Sequence, residues 1–114
     1  MPEPGELDQE DAKIVTLARS ARARTQAAEG AAVRDTDGRT YAACTVELPS
    51  LSLTALQAAI AAAVSSGAEG IEAAAVVTAN EHVAEASVQA VRDLAAKAPI
   101  FVADPAGAVI EVLA

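Results

Sequence analysis

The sequence predicts an α/β protein in three layers, α/β/α, with a mixed five-stranded sheet between helices and the element order α-β-β-α-β-α-β-β. Three observations predict it. Apolar residues recur at helical spacing in three separated segments. Two strand-like runs flank an Asp37-Gly38 turn. Ile71 to Thr78, IEAAAVVT, is a nearly unbroken apolar run, the pattern of a central strand covered on both sides.

Taken in order, residues 1–6 carry Pro, Gly and Glu and read as a mobile N-terminus ahead of one domain over 7–114. Leu7 to about Ala28 reads as a first helix, with Ile14, Leu17, Ala18 and Ala21 on one stripe and Gly30 as its terminator. Val33 precedes the DTDG turn, and Tyr41 to Val46 follow it as the return strand, stopped by Pro49. LSLTALQAAI, Leu51 to Ile60, opens an amphipathic helix with Ser52 as N-cap and Leu53, Leu56, Ile60 and Val64 on the buried face. Ser65-Ser66-Gly67 ends it. After the central strand, Val83 to Lys97 reads as a third helix with Val88, Val91 and Leu94 or Ala95 inward. IFVAD and AVIEVL, joined by Asp104-Pro105-Ala106-Gly107, are the last two strands. A helix between the third and fourth strands implies parallel pairing by a right-handed crossover. The tight turn before the last strand implies an antiparallel hairpin.

The chain has 114 residues and a net charge of -8, which disfavours nucleic acid and anionic lipid as partners. Arg19, Arg22 and Arg24 form the strongest basic cluster and read as a solvated face at a helix end, where cations suit the dipole. The apolar fraction is 53% but aromatics are only 2%, so the core rests on Val, Ile and Leu with Ala spacers and closely approaching elements. The single cysteine, Cys44, excludes an internal disulfide and reads as a buried, inert thiol. No apolar run is long enough to span a membrane, and the acidic N-terminus has no apolar leader, so the expectation is a cytoplasmic protein.

Several segments carry a resemblance. GAAVRDTDGRTY matches a G-A-A-hydrophobic-x-x-x-D-G-x-hydrophobic hairpin through Gly30, Ala31, Ala32, Asp37 and Gly38. TVEL at Thr45 to Leu48 falls on an N-x-E-N segment, and LTALQAAIAAAVSSG on an L-C-A-E-x-x-A helix. VQAVRDLA and PIFVADPAGAVIEVL match the stretches that close the pattern. Over roughly Asp11 to Leu113 the chain resembles the small cytidine deaminases. The resemblance implies their fold and their habit of forming homo-oligomers.

It also implies where their chemistry would lie. Members of that family hold zinc with one His or Cys at the start of one helix and two Cys of a P-C-x-x-C at the start of the next, while a Glu beside the first ligand shuttles protons. Here the first ligand position is Thr54, the shuttle position is Leu56, and the two remaining ligand positions are Ala84 and Ser87. Ala has no donor atom, hydroxyls are poor zinc donors at neutral pH, and Leu moves no proton. The set His82, Glu85 and Cys44 offers a single thiol, and His82, Glu81 and Glu85 read as ordinary helix-start residues. At the ribose-contact segment Thr45 and Leu48 replace Asn, and Glu47 persists, either as a ribose contact or as a strand-end carboxylate. Ala27 stands where the family stacks a Phe.

The leading expectation is therefore a non-catalytic, deaminase-like protein without metal or cofactor, a homo-oligomer that acts by binding a protein partner or a small ligand. The alternatives are a divergent nucleoside deaminase with a different site and a nucleoside-binding sensor.

Overall fold

The computed structural model describes residues 7–114; the mobility expected of residues 1–6 lies outside them. The chain runs α1 (Gln9–Thr25), β1 (Glu29–Asp35), β2 (Thr40–Cys44), β3 (Val46–Leu48), β4 (Leu51–Leu53), α2 (Ala55–Ser65), β5 (Ile71–Thr78), α3 (Glu85–Leu94), β6 (Ile100–Ala103) and β7 (Val109–Leu113). The main sheet has the order β2-β1-β5-β6-β7. Among the described residues only β5 and β6 pair in parallel, across the α3 crossover; β6 and β7 form the closing antiparallel hairpin. Both pairings and the mixed five-stranded sheet match the sequence expectation.

Side-chain alternation assigns the layers. Ala31, Val33, Ala74, Val76, Ile100 and Val102 face α2 and α3, together with Leu56, Ile60 and Val91. Ala32, Ala73, Ala75, Val77, Phe101 and Ala103 face α1, against Ile14, Val15 and Ala18. The central strand β5 is buried over all its residues except Glu72, as a strand with helices on both faces must be. Arg34 on β1 ties the layers together, its Nη2 donating to Asp11 of α1 at 3.0 Å and its Nε to Glu72 of β5.

Four boundaries differ from the sequence reading. The first helix ends at Thr25, and Gln26 takes the left-handed conformation there (φ 55°), so Gly30 is not its terminator. Gly30 is a strand residue: a Cβ on it would stand 2.1 Å from the Ala18 carbonyl oxygen and 2.6 Å from the Arg22 nitrogen. It is glycine because helix and strand backbones touch at that point.

The second difference is at Leu51–Leu53, which is strand β4 and not the first turn of α2. It pairs with β3, Val46 opposite Leu53 and Leu48 opposite Leu51. The turn at Pro49-Ser50 divides two runs of period two, with Val46, Leu48, Leu51 and Leu53 on one face and Glu47 and Ser52 on the other. The N-cap of α2 is consequently Thr54, not Ser52. Thr54 Oγ1 accepts from the Gln57 amide at 3.2 Å while Gln57 Oε1 accepts from the Thr54 amide at 2.9 Å, a reciprocal capping box. Third, Val64 lies outside the buried face and is 50% exposed, since α2 presents Ala59, Ile60 and Ala63 to the sheet near its end.

Fourth, α3 is shorter than Val83 to Lys97. Arg92 closes it by donating from Nη1 to the carbonyls of Ala95 (3.2 Å) and Ala98 (2.7 Å), and Pro99 favours extended backbone just before it. Val91 is fully buried, with Val88, Leu94 and Ala95 packed at its margin.

The DTDG hairpin turn is organised by the buried Asp35 carboxylate. Oδ1 accepts from the Asp37 and Arg39 amides, both at 2.9 Å, and Oδ2 accepts from the Tyr41 hydroxyl at 2.9 Å, with Arg39 Nε at 3.3 Å. Burial pushes this carboxyl up, but the bonds from Arg39, Tyr41 and Asp37 and the Arg39 charge outweigh it and hold it below the usual carboxylate range. A group depressed on folding stabilises fully above its unfolded pKa, about 3.9, and loses that contribution as pH falls through the lower folded value. Asp35→Asn is expected to flatten the acid limb of stability below about pH 4, read as urea midpoints at descending pH.

Candidate functional site

Three features of the fold converge at one end of the sheet. The amino ends of α2 and α3 are joined there by the Ser87–Thr54 contact, the segment after β5 contributes Asn80 and His82, and the β3–β4 hairpin contributes Glu47, Ser52 and Leu53. They enclose a cleft of about 330 Å³. Its wall includes Glu29 from β1, Thr45 and Glu47 from the β2–β3 passage, Thr54 and Gln57 from α2, and Asn80, His82 and Ala84 from the segment leading into α3.

At the back of the cleft Ser87 Oγ donates to Thr54 Oγ1 at 2.7 Å. Ser87 is fully buried and Thr54 half-buried. Thr54 Oγ1 thus accepts twice, from Ser87 and from the Gln57 amide. Ala84 is exposed at the N-cap of α3, which carries no side-chain cap bond. Leu56 is fully buried in the α2/α3 core and does not reach the cleft. The fold therefore brings Thr54, Ser87 and Ala84 together and turns Leu56 away from them.

This pairing makes a specific prediction. Thr54→Ala removes the helix cap and strands a buried hydroxyl, and is expected to cost about 2 kcal/mol or more. Ser87→Ala removes a donor without stranding a buried group and costs about 1 kcal/mol. The double variant then costs less than the two singles combined, in a cycle measured by urea unfolding.

The other candidates are placed as follows. Thr45 closes the end of the β1–β2 pair: its Oγ1 accepts from the Glu29 amide at 3.0 Å and its own amide donates to the Glu29 carbonyl at 3.1 Å. Glu47 is exposed on β3 and lines the cleft. Ala27 and Cys44 line a neighbouring depression that shares Thr45 and Glu47 with the cleft. Cys44 is half-buried, not buried, because it ends the edge strand β2. His82, Glu81 and Glu85 are exposed. Arg22, read as part of a solvated face, donates from Nε to the Ala28 carbonyl at 3.1 Å, while Arg19 and Arg24 are exposed.

Sequence reasoning missed Glu29. Only 7% of it is exposed, and it opens a strand whose next four residues are all buried. Reading Gly30 as the helix stop put Glu29 on a helix tail, where a Glu carries no signal. No helix among the described residues is long and apolar enough to cross a membrane.

The cytidine deaminase-like family matches residues 7–107, nearly the whole chain, and the chain belongs to that family. Its fold is similar to that of a cytidine deaminase from Burkholderia pseudomallei, with a TM-score of 0.79 at 21% identity over 95% of this chain and 93% of that one. It is also similar to the cytidine deaminase from Mycobacterium leprae, with a TM-score of 0.66 at 22% identity over 84% of this chain and 88% of that one. No curated protein matches the chain.

Proposed function

We propose that this chain is a cytidine deaminase-like protein that neither holds a catalytic zinc nor deaminates nucleosides, and that it acts as a binding module through the cleft at the amino ends of α2 and α3. The observation that carries this reading is the 2.7 Å bond between Ser87 and Thr54. A zinc ion asks for deprotonated or imidazole donors. Two neutral hydroxyls that satisfy each other, beside the methyl group of Ala84, do not fit it. Among the described residues no group of three or more His, Cys, Asp or Glu side chains is placed to hold a metal ion. The interior position of Leu56 agrees, since the residue two places after Thr54 is an aliphatic core side chain and offers no group to carry a proton.

Assembly as a homo-oligomer belongs to the same reading, with Ala61 and Val64 exposed along α2 as candidate contact residues. The test is direct. Protein purified without chelator, then incubated with cytidine, is expected to release no uridine above a protein-free control and to carry no stoichiometric zinc. Uridine formation together with one zinc per chain overturns the proposal.

A further inference from the structure

We infer that the cleft takes a small organic cation whose ammonium group sits against the Glu29 carboxylate. The inference rests on the reading of the cleft as a binding site and names its ligand class. Alternation along β1 sets the direction of the side chain. Gly30 and Ala32 face α1, whereas Ala31 and Val33 face α2 and α3, so Glu29 points to the α2/α3 side and into the cleft.

Glu29 is more than nine-tenths buried, yet among the described residues no hydrogen bond or ion pair reaches its carboxylate; its recorded bonds run only through its backbone and Thr45. Its carboxylate oxygens are not shut off from solvent, and the cleft is where they can meet a partner. Arg22, close by in sequence, belongs to α1 on the other side of the sheet and is bonded to the Ala28 carbonyl, and His82, on the cleft wall, makes no hydrogen bond or ion pair with Glu29 among the described residues. At the start of α2 the capping box takes up the amides of Thr54 and Gln57.

The surroundings repeat the sign. Glu47 is a second carboxylate on the wall, and among the described residues no Lys or Arg lines the cleft, where His82 is the one basic side chain. In a chain of net charge -8 such a recess focuses negative potential and draws cations. Thr45 and Asn80 add polar groups for the rest of the ligand. The uncapped amino end of α3, at Ala84, makes an anion the competing occupant, but an anion there would share the recess with two carboxylates.

Amide NMR of the isotope-labelled protein tests this with three probes: butylammonium, its neutral counterpart butanol, and acetate. Butylammonium is expected to give saturable shifts at Glu29, Thr45, Thr54 and Asn80 that weaken as NaCl is raised. Butanol and acetate are expected to give none. Glu29→Gln, whose own spectrum reports its folding, should bind about tenfold more weakly or worse, the scale of one charge-assisted hydrogen bond. Should that variant not fold, Glu47→Gln on the exposed wall is read instead, with a smaller loss expected. No butylammonium shifts, equal shifts from butanol or acetate, or undiminished affinity in the folded Glu variants would overturn the inference. Zinc content and cytidine turnover are read on the same preparation. Uridine formation defeats the proposed function, whereas inactive, zinc-free protein that ignores butylammonium defeats only the cation.

Discussion

Replacing Gly30 with alanine is expected to destabilise the protein by roughly 3 kcal/mol or more, beyond the ordinary range for overpacking. The added methyl carbon would stand 2.1 Å from the Ala18 carbonyl oxygen, 2.6 Å from the Arg22 nitrogen and 2.9 Å from the Arg22 Cβ. Two of these three atoms are backbone, and the third is fixed to it, so no side-chain rotation relieves the collision. The strand or the helix must move. Both are held, the helix by Ile14, Val15 and Ala18 in the core and the strand by pairing on both edges with β2 and β5. Because Glu29 and Thr45 stand at the same end of β1, the displacement also deforms the cleft. Gly38→Ala is the control. It has nothing within 4 Å of a new Cβ but a φ of 87°, so it isolates backbone strain, expected at about 1 kcal/mol. Thermal melts should separate the two variants by more than about 8 °C; equal melting temperatures would mean that α1 and β1 do not meet as closely as described.

The same glycine shows why part of the fold was legible in the sequence and part was not. Helical spacing and the apolar run of β5 report burial on a scale of ten residues, and those elements were readable. A close approach of two backbones depends on partners twelve and eight positions away, at Ala18 and Arg22, and local pattern cannot distinguish it from a helix stop. The β3–β4 hairpin failed differently. Its two-residue period was present in VELPSLSL, but the helical spacing of Leu53, Leu56 and Ile60 competed for the same residues and overran the boundary. The capping box Thr54-x-x-Gln57 marks the true start and is visible once sought.

The candidate site divides along the same line. Thr54, Ala84 and Ser87 were found because the resemblance gave them positions, and the fold does bring them together. Glu29 was not found, because its interest comes from its place on the cleft wall with no bonded side-chain partner. That property belongs to the assembled structure and not to any spacing.

Leu56→Glu is expected to cost about 4 kcal/mol or more, combining the lost apolar contacts with an unpaired buried charge. Against a total stability of about 5–15 kcal/mol for a natural domain, this is a large share and moves the urea midpoint well below that of the parent. Leu56 is fully buried among Val33, Val76, Val91 and Ile100 and lies outside the cleft wall. A carboxylate there would meet aliphatic carbon, with the nearest polar pair, Thr54 and Ser87, already satisfied by each other. Leu56→Met, nearly equal in volume, is expected to cost less than about 1.5 kcal/mol and shows that the loss is one of charge and not of shape. The measurement is urea unfolding of the three proteins at neutral pH. The glutamate is the side chain that the resemblance assigns to this position, so the result bears on function directly. If Leu56→Glu kept the parent midpoint, its carboxylate would have found the cleft, and the position would be a place where a proton-shuttling group fits. If the midpoint falls, then α2 as it now packs has no room for one beside Thr54, and restoring zinc ligands at Thr54, Ala84 and Ser87 alone would leave an ion without the base that its chemistry needs.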